Sequence, residues 1–358
     1  MKIAVILGTR PEIIKMSPII RKLAEKGEDF FILHTGQHYS YEMDKSFFDT
    51  LLLPDPRYNL DAGSGSHAEQ TGKIMLGIEN VLQEEKPDIV LVQGDTNTVL
   101  AGALAAAKLH IKIGHVEAGL RSFDRRMPEE VNRVIADHIA DYLFAPTETA
   151  RENLLHEGID NKRIFVTGNT IVDAVLENLK IAQERGDGLA GLGLSRGNYF
   201  LVTAHRAENV DDESRLKKII AGLMAIGKKY GLPVIFPVHP RTEKKLREFG
   251  MPTTGITFIP PKNFLEFLQL EAHAKLVLTD SGGVQEETCI LGVRCITLRD
   301  NTERPETVDA GANILSGIEP DAILKAVDVM LGVSTDWKNP FGDGKASEKI
   351  LQALGEDA

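Results

Sequence analysis

Cysteines and long hydrophobic runs are scarce in this sequence of 358 residues, and each shortage excludes a class of protein. The only two cysteines, Cys289 and Cys295, match neither a disulfide framework nor a zinc site in number or spacing. No apolar run is long enough to span a membrane, and the N-terminus leads into a predicted strand without a signal-peptide pattern. We therefore expect a reduced, cytoplasmic protein that has no membrane partner.

Basic residues are also in deficit, since 41 Lys and Arg stand against 52 Asp and Glu and give a net charge of -11. A nucleic-acid-binding surface is usually basic, so we expect no nucleic-acid partner. Local arginines can still form a positive pocket for a small anion in an acidic protein. The hydrophobic content of 42% is typical of globular proteins, and the length is sufficient for two domains.

The glycine fingerprint of dinucleotide-binding proteins is missing where the first predicted strand ends. That strand runs into GTRPE at residues 8–12, where a Rossmann dehydrogenase would have G-x-G-x-x-G. The Walker, H-E-x-x-H and C-x-x-C motifs are also absent, and the ten histidines form no convincing cluster. The sequence therefore indicates neither a nicotinamide site of the usual kind nor a metal site.

Short apolar strands alternate with longer amphipathic segments in both halves of the sequence. In the first half the predicted strands are KIAVIL (2–7), FFILH (30–34), DIVLVQ (88–93), KIGHV (112–116), YLFAP (142–146) and RIFVTG (163–168). In the second half they are YFLVTA (199–204), PVIFPV (233–238), ITFIP (256–260), KLVLTD (275–280) and VRCITL (293–298). This alternation predicts two α/β units in tandem, each a mostly parallel sheet with helices on both faces.

Two further segments complete this outline of the fold. A glycine-rich stretch at 183–198 interrupts the alternation and is interpreted as the segment between the two units. The alanine-rich segment TVLAGALAAAKLH is expected to form a helix that packs closely against the first sheet. Ligands of open parallel sheets bind beyond the carboxyl ends of the strands, so the residues that follow each strand are the candidates for function.

The turn after the first strand has the features of an anion site. Arg10 precedes Pro11, which favours a helix start, and Lys15 lies about one turn further along the predicted helix. A helix N-terminus together with a guanidinium suits a phosphate group. Pairing of Arg10 with Glu12 is the structural alternative. Taken alone, this turn favours anion binding only weakly.

Acidic residues follow the next strands of the first half. Asp95 comes directly after DIVLVQ, Glu117 and Arg121 follow KIGHV, and Glu129 and Arg133 stand one helical turn apart in MPEEVNR. Individually, Asp95 could cap a helix, and Glu129 with Arg133 could be a surface ion pair. Three carboxylates near one sheet edge instead resemble an acid–base site, because neighbouring carboxylates raise one another's pKa values.

The second half offers a candidate diphosphate site at its own strand ends. His205 and Arg206 follow YFLVTA, and DSGG at residues 280–283 follows KLVLT and opens a helix. Two glycines allow close backbone approach, and the helix N-terminus presents N–H donors to phosphate. Glu286 or Glu287, one turn into that helix, could accept hydrogen bonds from ribose hydroxyls. A lone histidine and a simple glycine turn remain the structural alternatives.

Together these motifs resemble a known enzyme family. GTRPEIIKMSP, TGQH, VQGDTNTVLAGALAA, HVEAGLRS, PEEVNR, TAHRAEN, DSGGVQEE and TERPE occur in order over nearly the whole chain, as in the non-hydrolysing UDP-N-acetylglucosamine 2-epimerases. The resemblance implies two Rossmann-like, doubly wound α/β domains facing a cleft, a glycosyltransferase-B-type fold. It further implies domains at 1–170 and 171–344, a C-terminal helix at about 345–358 crossing back, and a cytoplasmic homodimer.

The resemblance also implies a reaction and its residues. The family interconverts UDP-GlcNAc and UDP-ManNAc without a cofactor, by eliminating UDP to a bound 2-acetamidoglucal and adding it back, and so supplies ManNAc units for glycans. The implied catalytic residues are Asp95, Glu117, Glu129, Arg133 and His205. The implied residues that bind the UDP-sugar are Arg10, Lys15, His205, Ser281, Gly282, Gly283 and Glu287. The roles of the three carboxylates as acid or base stay open, because a carboxylate cluster titrates as a unit.

Two departures and several alternatives accompany the resemblance. The chain has HRAEN with Ala207 where bacterial members often have H-R-R-E-N, and YSYEMDKSFF after TGQH where their sequence commonly differs. Both segments belong to the region that binds an activating second UDP-GlcNAc in many bacterial members, so activation by substrate stays open. The alternatives are an epimerase of UDP-2,3-diacetamido-glucuronic acid, a hydrolysing epimerase, a retaining glycosyltransferase and a non-catalytic binding protein.

Overall fold

The computed structural model describes residues 1–36, 41–252 and 254–356. The chain divides into two compact units: unit 1 comprises Met1–Ala174 and Phe341–Ala358, and unit 2 comprises Val175–Pro340. Unit 2 is therefore a continuous insertion in unit 1. The end of the TGQH motif and the start of YSYEMDKSFF, residues 37–40, lie outside the described part. Among the helices of the described residues, none has the length and apolar character needed to cross a membrane.

Unit 1 is built on a seven-stranded parallel sheet in the order β3-β2-β1-β4-β5-β6-β7. Its strands are β1 (Ile3–Leu7), β2 (Phe30–His34), β3 (Tyr58–Asn59), β4 (Ile89–Gln93), β5 (Lys112–Val116), β6 (Tyr142–Ala145) and β7 (Ile164–Val166). Its helices are α1 (Arg10–Lys26), α2 (Tyr41–Thr50), α3 (His67–Glu85), α4 (Asn97–Lys108), α5 (Pro128–Ile139), α6 (Glu148–His156) and the start of α7 (Thr170–Glu184). A 3-10 turn, Asn161–Arg163, precedes β7.

Unit 2 repeats this design with six parallel strands in the order β10-β9-β8-β11-β12-β13. Its strands are β8 (Phe200–Thr203), β9 (Val234–Pro237), β10 (Thr257–Ile259), β11 (Leu276–Thr279), β12 (Cys295–Thr297) and β13 (Asn313–Leu315). Its helices after α7 are α8 (Ala207–Val210), α9 (Glu213–Tyr230), α10 (Pro240–Glu248), α11 (Phe264–His273), α12 (Gly282–Ile290), α13 (Pro305–Asp309) and α14 (Pro320–Leu331). The last helix of the chain, α15 (Ala346–Glu356), belongs to unit 1.

The predicted fold class, two Rossmann-like doubly wound α/β units, is confirmed. All eleven predicted strands form, and β2 and β5 have the predicted bounds. The strands β3 and β13 were not predicted, because edge strands of two or three residues leave no periodic pattern to detect. The alanine-rich helix α4 packs closely on its sheet as expected: a Cβ on Gly102 would lie 3.2 Å from Val92 and 3.3 Å from Ile6.

The glycine-rich stretch at 183–198 does not separate the units, which corrects the interpretation of its composition. It lies inside unit 2, where Gly188 N–H donates to Gln269 Oε1 at 2.6 Å and Gln269 Nε2 donates to the Gly186 carbonyl at 2.9 Å. Leu189, which is buried, packs into the core of unit 2 beside Tyr199. Glycines indicate a turn but not its place relative to a domain boundary, and the change of unit occurs within α7.

The helix α15 is joined to unit 1 by specific contacts. It packs against α1, and Lys22 of α1 pairs with Glu348 at 3.2 Å. The buried carboxylate of Asp173 accepts hydrogen bonds from the backbone N–H groups of Ala346 and Ser347 at the start of α15. An acidic side chain at a helix N-terminus is favourable for both the hydrogen bonds and the helix dipole. Residues near the end of the chain are thus part of unit 1.

Candidate active site

Each sheet has a topological switch point, where the strand order reverses between two adjacent strands. In unit 1 it lies between β1 and β4, and in unit 2 it lies between β8 and β11. The turns that leave these strands begin with Gly8 and Gly94 in unit 1, and with Ala204 and Asp280 in unit 2. Ligands of doubly wound sheets bind in the crevice at such points. Of the predicted candidates, Arg10, Asp95, His205 and Ser281 lie in or next to these turns.

Gly8 is required by the packing of the first turn. A Cβ at this position would lie only 2.0 Å from Oγ1 of Thr98 and 2.6 Å from Oγ1 of Thr35. Both threonines are buried and their hydroxyls contact each other at 2.8 Å. The single glycine of GTRPE therefore serves the close packing of the turn after β1 against Thr98 in α4 and Thr35 after β2, rather than a dinucleotide fingerprint.

Glu117 is the most enclosed of the predicted catalytic carboxylates. Its side chain is 7% exposed and accepts hydrogen bonds from Lys15 Nζ at 2.7 and 2.8 Å, from Gln93 Nε2, and from Asn169 Nδ2 at 3.2 Å. Its backbone has a φ of 73°, in the left-handed region that residues other than glycine seldom adopt. Such strained conformations cluster at functional sites, where the surrounding contacts impose them.

Asp95, which follows β4, provides the second carboxylate at this edge of the sheet. Arg133 Nη2 donates to its Oδ2, and Asn132 Nδ2 donates to its backbone carbonyl at 2.9 Å. Arg133 also forms an ion pair with Glu130, three residues earlier, at 3.3 Å. The spacing alone had suggested a surface ion pair with Glu129 instead. Asp95 and Glu117 are thus each matched with a cation from a helix, and both follow adjacent parallel strands.

Glu129, the third predicted carboxylate, is exposed in the first turn of α5. Its neighbour Glu130 is buried and accepts hydrogen bonds from the N–H groups of Ser122 and Phe123 and from the Ser122 hydroxyl. Burial opposes the charge of Glu130, but these hydrogen bonds outweigh it and lower its pKa. The structure thus gives Glu130 an anchoring function and leaves Glu129 accessible.

The turn after β1 presents Arg10 and a buried carboxylate that sequence reasoning treated only as a possible partner. Arg10 lies over the ring of Phe47 at 5.5 Å. Glu12 accepts hydrogen bonds from the N–H groups of Gly8 and Thr9 at 2.7 and 2.6 Å and from the Thr96 hydroxyl at 2.6 Å. Burial raises the pKa of Glu12 to about 7, even though these hydrogen bonds act in the opposite direction. Glu12 therefore joins the turn after β1 to the turn after β4.

Unit 2 places His205 beside a buried acid. Asp280 is 0% exposed and accepts hydrogen bonds from the backbone N–H groups of His205 and Arg206, and its Oδ1 lies 2.9 Å from His205 Nδ1. Burial opposes its charge, but the His205 contacts outweigh this and lower the pKa of Asp280. The ring of His205 is 49% exposed. Asp280 therefore orients a histidine whose Nε2 edge is accessible.

The start of α12 has the properties of an anion site. Ser281 is the N-cap residue, and its hydroxyl makes no capping hydrogen bond. A Cβ added at Gly282 or Gly283 would meet nothing closer than 3.8 Å, so the protein's own packing does not require glycine there. Neither glycine has a positive φ. Neither close packing nor a left-handed backbone conformation therefore requires glycine at these two positions. This favours the interpretation that the glycines leave room for a ligand.

Glu287, the predicted ribose acceptor, lies against a second acid, Glu271 of α11. Glu271 is fully buried, and burial, with the nearby charge of Glu287 as a smaller cause, raises its pKa well above the ordinary value. Both carboxyl oxygens of Glu271 are buried without a hydrogen-bond partner among the described residues.

Sequence reasoning missed several residues that the structure brings to these sites. They are Gln93 and Asn169 beside Glu117, Asn132 beside Asp95, and Glu271 beside Glu287. Gln93 ends β4 and Asn169 follows β7, so the rule of searching strand ends could have found both. Arg121, which was predicted at the sheet edge after β5, has a buried side chain in an ion-pair network with Asp137 and Glu157. Throughout the described ranges, no group of three His, Cys, Asp or Glu side chains is arranged to hold a metal ion.

Comparisons with known proteins find relatives over almost the whole length of this chain. The family model of UDP-N-acetylglucosamine 2-epimerase matches residues 21–355. A Methanocaldococcus jannaschii protein named UDP-N-acetylglucosamine 2-epimerase is 59% identical, over 99% of this chain and 99% of its own. A Pseudomonas aeruginosa protein named UDP-2,3-diacetamido-2,3-dideoxy-D-glucuronate 2-epimerase is 42% identical, over 99% of this chain and 100% of its own.

A solved structure extends the match to three dimensions. The crystal structure of Methanocaldococcus jannaschii UDP-GlcNAc 2-epimerase in complex with UDP-GlcNAc and UDP has a TM-score of 0.85 and 59% identity to this chain. The match covers 99% of this chain and 100% of the solved one. Sequence and fold agree over almost the full length of both proteins, and the chain belongs to the UDP-N-acetylglucosamine 2-epimerase family.

Proposed function

We propose that this protein interconverts UDP-GlcNAc and UDP-ManNAc and releases neither free sugar nor free UDP as a net product. The observation that carries the proposal is the pair of carboxylates at one sheet edge, Asp95 with Arg133 and Glu117 with Lys15. Inversion at C2 requires a proton to leave one face of the sugar and another to arrive at the opposite face. Two positioned carboxylates can provide the two proton-transfer groups.

The proposed first step is elimination. One carboxylate removes the C2 proton, the C2–H electron pair forms the C1–C2 double bond, and the C1–O bond breaks with its pair going to UDP. The product is UDP with 2-acetamidoglucal, both held by the protein. In the second step UDP adds back at C1 while a proton reaches C2 from the other face. The C2 proton is not acidic, so its removal must accompany or follow departure of UDP.

The cations of the site connect binding with this chemistry. Lys15 and Arg133 each lie against a carboxylate, and both are natural partners of a diphosphate. A bound diphosphate would compete with Glu117 and Asp95 for these two cations. Arg10, on the same sheet edge, would add to the positive charge around the diphosphate.

Unit 2 is proposed to bind the nucleotide. The N–H groups at the start of α12, around Ser281, Gly282 and Gly283, would donate to the diphosphate, and Glu287 would accept from the ribose hydroxyls. His205, oriented by Asp280, would contact the diphosphate or the sugar through Nε2. We propose a cytoplasmic homodimer, as the family resemblance implies.

Proton NMR of the protein with UDP-GlcNAc in deuterated water tests the proposal. We expect signals of UDP-ManNAc and deuterium at C2 of both sugars, because the removed proton exchanges with solvent. Asp95→Asn and Glu117→Gln should abolish the exchange while UDP still binds. Free ManNAc with UDP would instead establish the hydrolysing reaction. Reaction only with UDP-2,3-diacetamido-glucuronic acid would assign the activity named for the relative that is 42% identical.

A further inference from the structure

His115 is a buried histidine that lies between the two turns carrying the catalytic carboxylates. It is the second-last residue of β5 and is 0% exposed. Its Nε2 lies 2.8 Å from the carbonyl oxygen of Gly94, the residue directly before Asp95. Its Nδ1 lies 2.7 Å from Oδ1 of Asp137 on α5. No step of the reaction proposed above uses this side chain, so its contacts need another explanation.

The contacts determine the protonation of the ring. A carbonyl oxygen can only accept, so Nε2 carries a proton. Oδ2 of Asp137 lies 2.7 Å from Arg121 Nη1 and accepts from the Gly119 N–H at 3.1 Å, and both contacts stabilise the ionised carboxylate. Nδ1 therefore also donates, which makes the ring an imidazolium. Burial disfavours that charge, but Asp137 outweighs it and the pKa of His115 is raised.

The same network holds the turn that contains Glu117. Gly119, whose N–H donates to Asp137, has a φ of 81°, and a Cβ there would lie 2.3 Å from the Ala150 carbonyl oxygen. This turn follows the strained backbone of Glu117. Asp137 thus fixes the Glu117 turn, His115 fixes the carbonyl before Asp95, and the pair of side chains joins the two.

We propose that His115 is a positioning residue: its imidazolium, held by Asp137, sets the placement of the Asp95 and Glu117 carboxylates relative to each other. The charged groups around the ring are Asp95 and Glu117 on the turns, Arg121 after the Glu117 turn, Asp137 on α5 and Glu157 directly after α6. Asp137 is the one that contacts the ring, and its charge and hydrogen bond raise the pKa of His115 against the effect of burial. The proposal deepens the epimerase function proposed above and rests on it.

Two substitutions separate the two contacts of the ring. In His115→Asn the amide nitrogen stands near the place of Nδ1 and can keep the Asp137 contact, while the Gly94 contact is lost. In His115→Gln the amide nitrogen stands near Nε2 and can keep the Gly94 contact instead. The control is Asp141→Asn, which alters a carboxylate that accepts from the Ile113 N–H at 2.8 Å near the opposite end of β5.

We expect both His115 variants to lower kcat by about 10- to 100-fold, because small misplacements of catalytic groups have large effects on rate. KM for UDP-GlcNAc and the Kd of UDP should change by no more than about twofold, since uniform binding is not affected. Asp141→Asn should retain wild-type kcat. Folded His115 variants with the kcat of Asp141→Asn would overturn the proposal. A parallel rise of KM and UDP Kd with unchanged kcat would overturn it as well.

Nitrogen NMR of the wild-type protein labelled in its histidines gives a readout that does not depend on activity. One ring, identified by its loss in either His115 variant, should keep both nitrogens protonated to a higher pH than an ordinary histidine, whose pKa is about 6.5. A ring that becomes neutral at or below about pH 6.5 would overturn the proposal. If the wild-type protein does not epimerise UDP-GlcNAc, the proposed function fails, and the NMR result still decides the charge of His115.

Discussion

Accessibility distinguishes Glu129 from the other two carboxylates at the residue scale. Asp95 and Glu117 each contact a cation, whereas Glu129 is exposed at the start of α5 beside the anchored Glu130. An exposed side chain contributes little to stability, so its removal isolates a contribution to chemistry. The structure therefore offers a clean test of whether this third carboxylate takes part in the reaction.

Glu129→Gln should lower turnover by about 10²- to 10⁴-fold, the usual contribution of a general acid or base, with little change in the urea midpoint. The matched control is Glu148→Gln, an exposed glutamate in the first turn of the neighbouring helix α6, which should keep full turnover. Steady-state rates and urea unfolding of the three proteins provide the comparison. Equal turnover in both variants would remove Glu129 from the mechanism.

Glu12 should make stability depend on pH. Its pKa is raised by burial from 4.5 to about 7, so the folded state binds this proton more tightly than the unfolded state does. The stabilisation is therefore complete below about pH 4.5 and is lost as the pH rises through about 7. Between about pH 5 and about pH 8 this amounts to about 2.5 kcal/mol of unfolding free energy.

Urea unfolding of the wild type and Glu12→Gln across this pH range measures the effect. Other titrating groups cancel in the difference between the two proteins. Because glutamine does not titrate, Glu12→Gln should gain stability relative to the wild type as the pH rises. Parallel curves would show that the carboxyl of Glu12 titrates alike in the folded and unfolded states.

The sequence located the candidate site better than it described the contacts within it. The strand-end rule depends on topology alone, so Asp95, Glu117, His205 and Ser281 were found without coordinates. The partner of each side chain depends on which helix lies across the sheet edge, and spacing carries no information about that. Arg133 is an example: its i,i+4 distance from Glu129 suggested a surface pair, but packing turns it toward Asp95 and Glu130.

At the scale of elements, the start of α12 makes a prediction about glycine. The packing leaves room for a methyl group at Gly282 and Gly283, and alanine is the better helix former. Gly282→Ala and Gly283→Ala should therefore leave the unfolding free energy equal to the wild type or increase it by up to about 1 kcal/mol. UDP affinity should fall, because the methyl group would occupy the space of the diphosphate.

Gly72→Ala is the control for this pair of substitutions. Gly72 lies within α3, a Cβ there would have no neighbour within 4 Å, and alanine is again the better helix former. Isothermal titration with UDP should find its affinity unchanged. If the two α12 variants also bind UDP like the wild type, the diphosphate does not contact the start of this helix.

Central elements were predicted more reliably than peripheral ones for a physical reason. Buried parallel strands such as β1, with the sequence IAVIL, are continuous apolar runs that begin and end sharply. The edge strands β3 and β13 are defined by pairing with one neighbour rather than by their own composition. The turns bearing the candidate site follow central strands, which is why the positions of these turns could be predicted.

At the scale of the whole molecule, unit 2 contains the single tryptophan and both cysteines of the chain. The single tryptophan, Trp337, donates from Nε1 to the Cys289 carbonyl at 2.9 Å, and Cys289 and Cys295 are both buried. Burial raises the pKa of each thiol to about 12. A thiol that is buried and fully protonated reacts slowly, so alkylation of either cysteine requires unfolding of unit 2.

Tryptophan fluorescence and alkylation should therefore report the same urea transition, that of unit 2. Adding UDP at about 100 times its Kd should stabilise that transition by about 2.7 kcal/mol if unit 2 binds the nucleotide. Adenosine diphosphate at the same concentration is the control for charge alone and should have a smaller effect. No shift with UDP would place the nucleotide site elsewhere.

The insertion of unit 2 within unit 1 also has a consequence for the order of events during synthesis. A ribosome extends the chain from the N-terminus, and domains generally fold as units while the chain emerges. All of Val175–Pro340 is made before the ribosome reaches Phe341–Ala358, which includes α15. The nascent chain can thus complete its proposed nucleotide-binding half first. Synthesis of unit 1, which carries Asp95 and Glu117, begins earlier but is completed only after the whole of unit 2 has been made.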